Sequence, residues 1–418
     1  MEPHPDETVS FRPFMVYPAK RVHGFRYAIR DIVAAAERME QDGRKILHLN
    51  IGDPQAFGFR PPEILTDAVS KALNCKFTGY THSCGIFEAR EAVANYATNL
   101  GAATEPKDVL ITSGASEAAE LALAAIVDPG DEVLVPAPGY PIYSAILTKL
   151  GAVPQYYTLD PANNWQPNPD KMRRQVTRKT RAIVLINPNN PTGSITSDNL
   201  TRKILQLAKE KWLTIISDEV YRDLCFVPPP TSASVLATEI DVPVITLESL
   251  SKTHMLSGWR AGWMRFTNVH RMPDVASAIT RLASGRLCSP TPAQYAVKPA
   301  LEMDLGFQRE FVAHLQRNRD FAVRAINAID GLSCTSPDAA FYLTVKVEDT
   351  RGDYDDIYVR KLLEQTGVLV VPGSGFGCGP RDGYFRLVFL ADRQILDKAI
   401  AAIAEFAKGN DRAESLAA

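Results

Sequence analysis

From Val109 onward the chain repeats one plan: a short run of β-branched and apolar residues, a loop of small or polar residues, then a helix. Runs such as Arg181-Ala-Ile-Val-Leu-Ile186 carry apolar residues on both sides of the strand, as expected for a sheet covered on both faces. Strands alternating with helices in this way imply an α/β fold built on a mainly parallel sheet. In an open parallel sheet the ligand crevice lies outside the carboxyl ends of the strands. The loops that follow the strands are therefore where chemistry is expected.

Each of those loops has an unusual composition. The first strand, D-V-L-I-T, runs into S-G-A-S and an apolar helix, so Gly114, Ala115 and Ser116 place free backbone N–H groups at a helix start, where anions bind. The spacing G-x-G-x-x-G is absent, which argues for a single phosphate group over a dinucleotide. The loop A-P-G-Y-P delivers Tyr140 on a proline-stiffened turn, where stacking on a planar ligand and ordinary packing both fit. R-A-I-V-L-I ends in N-P-N-N-P-T-G, whose prolines Pro188 and Pro191 hold Asn190 at the mouth of the sheet. L-T-I-I-S ends in D-E-V-Y-R, which brings Asp218 and Tyr221 to the same edge; a carboxylate there is partly desolvated and calls for a cationic partner. After the run Val242 to Leu247 comes S-L-S-K-T-H-M-L-S-G-W-R, with Ser249, Ser251, Lys252 and Arg260. Alone this reads equally as a turn with a surface lysine or as a lysine that forms a Schiff base, beside hydroxyls and a guanidinium that hold a phosphate.

Taken together, these loops describe a pyridoxal 5′-phosphate site. The carboxylate keeps a pyridine nitrogen protonated, which makes the ring an electron sink for a carbanion at the substrate Cα. The lysine serves both as aldehyde partner and as proton carrier.

The rest of the chain is organised around this unit. Residues 1–24 form an aperiodic arm rich in proline and aromatic residues, and Tyr27 to Gly43 has helical spacing. K-I-L-H-L-N-I-G-D-P is a short strand stopping at Gly52, where the backbone either approaches a ligand closely or simply turns. Helices from Pro62 to Leu73 and from Phe87 to Leu100 flank a loop carrying Tyr80. A long helix from Pro292 through Arg324, kinked at Pro299, leads out of the first domain. Beyond it, A-A-F-Y-L-T-V-K-V, V-L-V-V-P and F-R-L-V-F-L read as strands of a smaller α+β domain, and G-S-G-F-G as a flexible turn. Arg386 lies inside the last apolar strand, so it needs a carboxylate: that of an amino-acid substrate or an internal one. Arg286 reads as a surface ion-pair residue that could also point into a site. The expected division is 1–24 as an arm, 25–55 as the N-terminal part of the small domain, 56–304 as the large cofactor-binding domain and 305–418 as the C-terminal part of the small domain.

A net charge of −2 with interspersed signs offers no basic field for nucleic acid or anionic membrane. The six cysteines form no CxxC pair and the seven histidines fall singly, so neither a disulfide framework nor a metal site is expected. The N-terminus lacks the charge and apolar stretch of a secretory signal, and no apolar run approaches the ~20 residues of a membrane span. A cytoplasmic enzyme is the expected class.

N-P-N-N-P-T-G, D-E-V-Y and S-L-S-K followed by Arg260, in that order, closely resemble the class I aminotransferases of the fold-type I pyridoxal-phosphate enzymes, over about residues 27 to 405. Y-A-I-R, L-N-I-G-D-P, R-L-C-S-P-T-P-A-Q and S-G-F-G with F-R-L-V-F-L look most like bacterial and archaeal alanine aminotransferases. The resemblance implies a large domain with a mostly parallel seven-stranded sheet. It implies Lys252 as the Schiff-base lysine, Asp218 on the pyridine nitrogen, Asn190 and Tyr221 on the ring hydroxyl, and Tyr140 stacked on the ring. Gly114, Ala115, Ser116, Ser249, Ser251 and Arg260 would hold the phosphate, with Tyr80 reaching the phosphate of a neighbouring subunit in a homodimer. Arg386, Gly52 and Asn190 would hold the substrate α-carboxylate, with Tyr27 and Arg30 near its side chain. The implied reaction is amino transfer between L-alanine and 2-oxoglutarate. Aspartate, aromatic or broad specificity, and β-elimination from a cysteine-like substrate, share the same core motifs. A non-catalytic regulator would need a basic DNA-binding extension that this N-terminus lacks.

Overall fold

The structure, a computed structural model, describes residues 16–19, 29–350 and 352–415. Its larger sheet has eight strands, β1 (Val109–Ser113), β2 (Glu132–Ala137), β3 (Val153–Asp160), β4 (Gln166–Pro167), β5 (Thr180–Ile186), β6 (Thr214–Asp218), β7 (Val244–Ser249) and β8 (Ala261–Thr267). They lie in the order β1-β8-β7-β6-β5-β2-β3-β4. The central pairs β2–β3, β2–β5, β5–β6 and β6–β7 are parallel. β8 runs against both β1 and β7. The strand beyond the expected seven is β4, a two-residue edge strand antiparallel to β3.

Successive side chains leave a strand on opposite faces, and both faces here are apolar. Val184 of β5, Ile216 of β6 and Ile245 of β7 pack under helices Ala115–Ile126 and Pro273–Gly285. Their neighbours Ile183, Ile215 and Val244 pack under helices Asp198–Lys211 and Ala233–Ile240. That two-sided burial is why these strands read as continuous apolar runs.

The second sheet has four antiparallel strands, β9 (Leu332–Cys334), β10 (Tyr342–Val347), β11 (Val371–Pro372) and β12 (Tyr384–Val388), in the order β9-β10-β12-β11. Helix α1 (Ile29–Gln41) shares a core with it through Ile32 and Ala36, as do helices Gly306–Asn327, Asp355–Thr366 and Arg393–Ser415. Leu47–His48 pairs in parallel with Val368–Leu369, tying the N-terminal segment to the C-terminal one. The run V-L-V-V-P is thus two strands. It is interrupted at Val370, so that one half pairs with Leu47–His48 and the other with β12.

Two expectations are corrected. The helix anticipated over 292–324 is three helices, Thr291–Gln294, Val297–Glu302 and Gly306–Asn327. Pro299 is the third residue of its helix, where a missing N–H costs nothing, and the chain leaves the helix at Met303, which is extended at φ −71° and ψ 160°. G-S-G-F-G is a buried 3₁₀ turn, Gly373–Phe376, and not a flexible one. Gly373 sits so close to Tyr384 that an added Cβ would lie 2.8 Å from the Tyr384 carbonyl oxygen. No helix among the described residues is long and apolar enough to cross a membrane.

Candidate active site

The carboxyl ends of β1, β5, β6 and β7 and the amino end of β8 open on one cavity of about 760 Å³. Because β8 is antiparallel, its start lies beside those carboxyl ends: Ala261 pairs with Ser113 and Gly262 with Ser249. The loop from Ser249 to Arg260 is therefore the turn of a hairpin set into the sheet.

One corner of the cavity is a set of donors. Helix α2 (Ala115–Ile126) begins after Gly114, whose φ of 77° is left-handed. A methyl group on Gly114 would lie 2.8 Å from Arg260 Cζ, so glycine is needed for the guanidinium to seat there. Arg260 donates Nη1 to the Ser257 carbonyl at 2.8 Å and Nη2 to the Ser113 carbonyl at 3.1 Å. Ser249 Oγ accepts from Ser251 N at 3.3 Å and caps the single turn Leu250–Thr253. Ala115, Ser116, Ser249, Ser251 and Arg260 all line the cavity. A helix start, hydroxyls and a guanidinium in one corner suit an anion with several acceptor oxygens.

Lys252 donates Nζ to the Gly52 carbonyl at 2.6 Å. Burial pulls its ammonium down to about 8; Asp53 opposes the shift while Arg386 and Arg260 add to it. A minor fraction of the amine, far larger than for an ordinary lysine, is then neutral near physiological pH, the form that attacks an aldehyde. Asp53 is itself tied down, accepting from Ser257 Oγ at 2.8 Å and Gln55 N at 3.2 Å.

Asp218, 7% exposed, accepts from Tyr143 Oη at 2.6 Å and Val220 N at 3.2 Å. Burial raises its carboxyl above the usual range, partly offset by those two donors. No ion pair to Asp218 occurs among the described residues, and a cationic ligand atom beside it would restore the charged form. Tyr143 was not singled out from sequence, although it stands one helical turn beyond Tyr140 in the same proline-stiffened segment.

The opposite wall comes from the smaller sheet. Arg386 on β12, 4% exposed, donates Nη1 to Asn190 Oδ1 at 3.1 Å and Nη2 to the Asn50 carbonyl at 2.6 Å. Its guanidinium lies over the rings of Tyr342 at 4.5 Å and Phe376 at 4.6 Å. Tyr221 shares a hydrogen bond of 2.6 Å with the Tyr342 hydroxyl, and burial holds its phenol well above the ordinary value and hence protonated. Tyr342 and Phe376 were missed because an aromatic residue in a strand or turn gives no signal beyond packing.

Gly52, Tyr140, Asn190, Asp218, Tyr221, Lys252 and Arg386 thus share one cavity with the donor corner. Tyr80 does not line it and is 82% exposed. Arg286 turns away from it, pairing Nε with Glu117 at 2.8 Å and giving Nη2 to the Ile111 carbonyl at 2.9 Å. Its partner is a carboxylate, as expected, but the pair is half-buried and not on the surface. Tyr27 and residues 1–15 lie outside the described residues, as does the side chain of Arg30, whose backbone is in the first turn of α1.

Behind the cavity, the residues next to Asp218 and Ser249 point the other way. Glu219, beside Asp218, accepts from Ser217 Oγ at 2.9 Å, Ser232 Oγ at 3.0 Å and Ala233 N at 3.0 Å. Glu248, beside Ser249, accepts from Arg265 Nε at 2.8 Å and Trp263 Nε1 at 2.9 Å. Arg265, fully buried, donates to Ser234 Oγ at 2.6 Å and Ser232 Oγ at 3.1 Å, which joins the two clusters.

The same chain organisation is found in characterised proteins. The glutamate–pyruvate aminotransferase AlaA of Haemophilus influenzae is 37% identical over 381 residues, covering 89% of this chain and 93% of that protein. The alanine aminotransferase of Mycobacterium tuberculosis is 34% identical, covering 89% and 87%. Among solved structures, an alanine aminotransferase from Pyrococcus furiosus superposes with a TM-score of 0.91 at 38% identity, covering 94% of this chain and all of that one. Residues 44–403 match the profile of aminotransferase class I and II, a span that runs from the strand before Gly52 to the last helix and takes in the cavity wall apart from the residues of α1. With the lysine, the buried carboxylate and both arginines inside that span, the chain belongs to the class I and II aminotransferase family.

Proposed function

We propose that this aminotransferase binds pyridoxal 5′-phosphate and moves an amino group between L-alanine and 2-oxoglutarate by a ping-pong route. The observation that carries the reading is Lys252: a buried amine lowered to about 8, in a cavity that has a phosphate-type donor corner on one side and a buried guanidinium on the other. The residues fit the cofactor. Gly114 leaves room for Arg260, the start of α2 and the two serine hydroxyls supply donors for a phosphate, and Asp218 is a buried carboxylate suited to a protonated pyridine nitrogen.

When bound, the cofactor supplies the electron sink that stabilises a carbanion at the substrate Cα. The protein does the rest. Arg260, Ser249, Ser251 and the N–H groups near Ala115 and Ser116 grip the phosphate; Tyr140 covers the ring, and Asn190 and Tyr221 supply polar contacts to its hydroxyl. Arg386, held by Asn190 and Asn50, orients the substrate α-carboxylate, and Gly52 brings its backbone alongside. Lys252 Nζ takes a proton from Cα and returns it during the two half-reactions.

Alanine as donor is supported by the named activities of the relatives and by the small apolar residues Val33 and Ala34 of α1 on the cavity wall. We assign the distal carboxylate of 2-oxoglutarate to Arg30, one turn earlier on α1, in preference to Arg286, which is engaged with Glu117. Tyr80, exposed on the loop before helix Phe87–Asn99, is assigned to the site of a second subunit in a homodimer. We also take 25–55 and 305–418 as one small domain around the four-stranded sheet and 56–304 as the cofactor-binding domain, a division supported by the pairing of Leu47–His48 with Val368–Leu369. The test is pyruvate formation from L-alanine and 2-oxoglutarate, coupled to NADH oxidation by lactate dehydrogenase. The wild-type enzyme should turn over and Lys252→Ala should not; a fully active Lys252→Ala sinks the reading.

A further inference from the structure

Tyr342 touches more of the catalytic apparatus than any role in packing requires. It is 2% exposed, lies at the start of β10 and lines the cavity. In the β10–β12 register Tyr342 pairs with Val388 and Thr344 with Arg386. Tyr342 and Arg386 are therefore diagonal neighbours on one face of the sheet, within reach of long side chains. The guanidinium lies 4.5 Å above the Tyr342 ring centre, with Phe376 at 4.6 Å as its second ring contact. The Tyr342 hydroxyl meets Tyr221 at 2.6 Å. It also fills the space where a Gly52 side chain would stand: a methyl there would fall inside the hydroxyl's van der Waals sphere and 3.1 Å from ring atoms Cε1 and Cζ. Gly52 in turn presents the carbonyl that receives Lys252 Nζ.

We propose that Tyr342 is a positioning residue for amino transfer: its hydroxyl aims the Tyr221 hydroxyl, its ring seats Arg386, and its contact with Gly52 fixes the carbonyl that holds Lys252. The inference rests on the cofactor and carboxylate roles proposed above and adds a residue that ties them together. A phenol that donates to Tyr221 leaves the Tyr221 proton directed into the cavity. An electron-rich ring face under a desolvated guanidinium holds it by a cation–π attraction, so that the arginine is fixed before a carboxylate arrives. The hydroxyl thus serves the cofactor end and the ring serves the carboxylate end. The two functions can be separated by substitution.

The experiment uses holoenzyme prepared with pyridoxal 5′-phosphate from the wild type, Tyr342→Phe, Tyr342→Leu, Tyr221→Phe and the double variant Tyr221→Phe/Tyr342→Phe. Two quantities are read: the pH midpoint of the visible absorption band, and the Kd for propionate, the carboxylate of alanine without its amine. Tyr342→Phe should move the midpoint upward by about one pH unit, the size of a weakened hydrogen bond to a charged group, and leave the propionate Kd within about twofold because the ring remains. In the Tyr221→Phe background the same substitution should move the midpoint no further, since its effect runs through the Tyr221 hydroxyl. Tyr342→Leu should weaken propionate by about tenfold through loss of the ring contact. A midpoint shift that persists undiminished in the Tyr221→Phe background overturns the proposal, as does a folded Tyr342→Leu that binds propionate like the wild type. If Tyr342→Leu does not fold, the phenylalanine cycle alone decides. A wild type with no visible band overturns the cofactor reading itself, and this proposal with it.

Discussion

Gly52→Ala places one methyl group at the most crowded point of the site. The new Cβ would stand 3.1 Å from Cε1 and Cζ of Tyr342 and overlap the hydroxyl oxygen outright. The backbone of Gly52 is pinned by its contact with Lys252, and Tyr342 is pinned by Tyr221 at 2.6 Å and by the guanidinium above its ring. Ordinary contact therefore requires the phenol to retreat by about 1 Å. Overpacking of this kind costs about 1–3 kcal/mol, and stretching the Tyr221 hydrogen bond adds about 1 kcal/mol. Because the shift is transmitted to Tyr221, Arg386 and Lys252 together, turnover should fall about 10²-fold, the usual effect of a 1 Å misplacement in a catalytic array. The assays are thermal unfolding of the cofactor-free protein and the alanine to 2-oxoglutarate reaction read through pyruvate. The decisive comparison is Gly52→Ala/Tyr342→Phe, which removes the overlapping oxygen and leaves only the tight 3.1 Å ring contacts. The double variant should melt above Gly52→Ala. A Gly52→Ala protein as stable and active as the wild type, or stability losses that simply add in the double variant, would refute the reasoning.

Reaction of the cofactor-free protein with pyridoxal 5′-phosphate should accelerate as pH rises, because the neutral amine is the nucleophile, with a midpoint near 8 in place of the 10.5 of an ordinary lysine; stopped-flow absorbance across that range checks it. Asp218→Ala should lower turnover by about 10²-fold or more, as for other groups that stabilise charge in the transition state, and a fully active variant refutes the electron-sink assignment. Glu248→Ala leaves the buried Arg265 guanidinium with its nearest remaining carboxylate, Glu219, at 4.0 Å, and should cost about 3–5 kcal/mol of unfolding free energy. A denaturant midpoint equal to the wild type contradicts that. Arg30→Ala should raise KM for 2-oxoglutarate with little change in KM for alanine, and parallel changes in both would remove Arg30 from the distal-carboxylate role.

The strand ends were legible because each joins an apolar run, buried on both faces, to a loop with an improbable polar composition. Lys252, Asp218, Asn190 and Arg260 needed only that logic to be placed together. Arg386 was legible for a different reason, since a guanidinium inside an apolar strand is expensive unless it meets something specific. Tyr342 and Tyr143 were not legible, because a tyrosine amid Ala-Ala-Phe-Tyr-Leu or Pro-Ile-Tyr looks like any packed aromatic until the partner of its hydroxyl is known. The 3₁₀ turn at Gly373–Phe376 was misjudged for a related reason: its glycines permit close packing against Tyr384, and from composition alone that is indistinguishable from mobility. The break at Met303 left no proline or glycine at the point where the helix stops, whereas Pro299, which looked like a break, falls harmlessly in a first turn.

The antiparallel course of β8 has a consequence for how the two ligands are held. Lys252 and Arg260 sit in one hairpin loop of the larger sheet and Ser113 pairs with the strand that follows, so this chain's own share of the proposed cofactor anchorage comes from the larger sheet. The proposed substrate anchorage does not: Arg386 reaches Asn190 across the boundary between the two sheets. A rocking of the smaller sheet would leave the cofactor seated while opening or closing the grip on the amino acid. In the ping-pong reaction proposed above, which exchanges substrates but keeps its cofactor, the permanent tenant and the transient one would thereby be fastened to different parts of the frame.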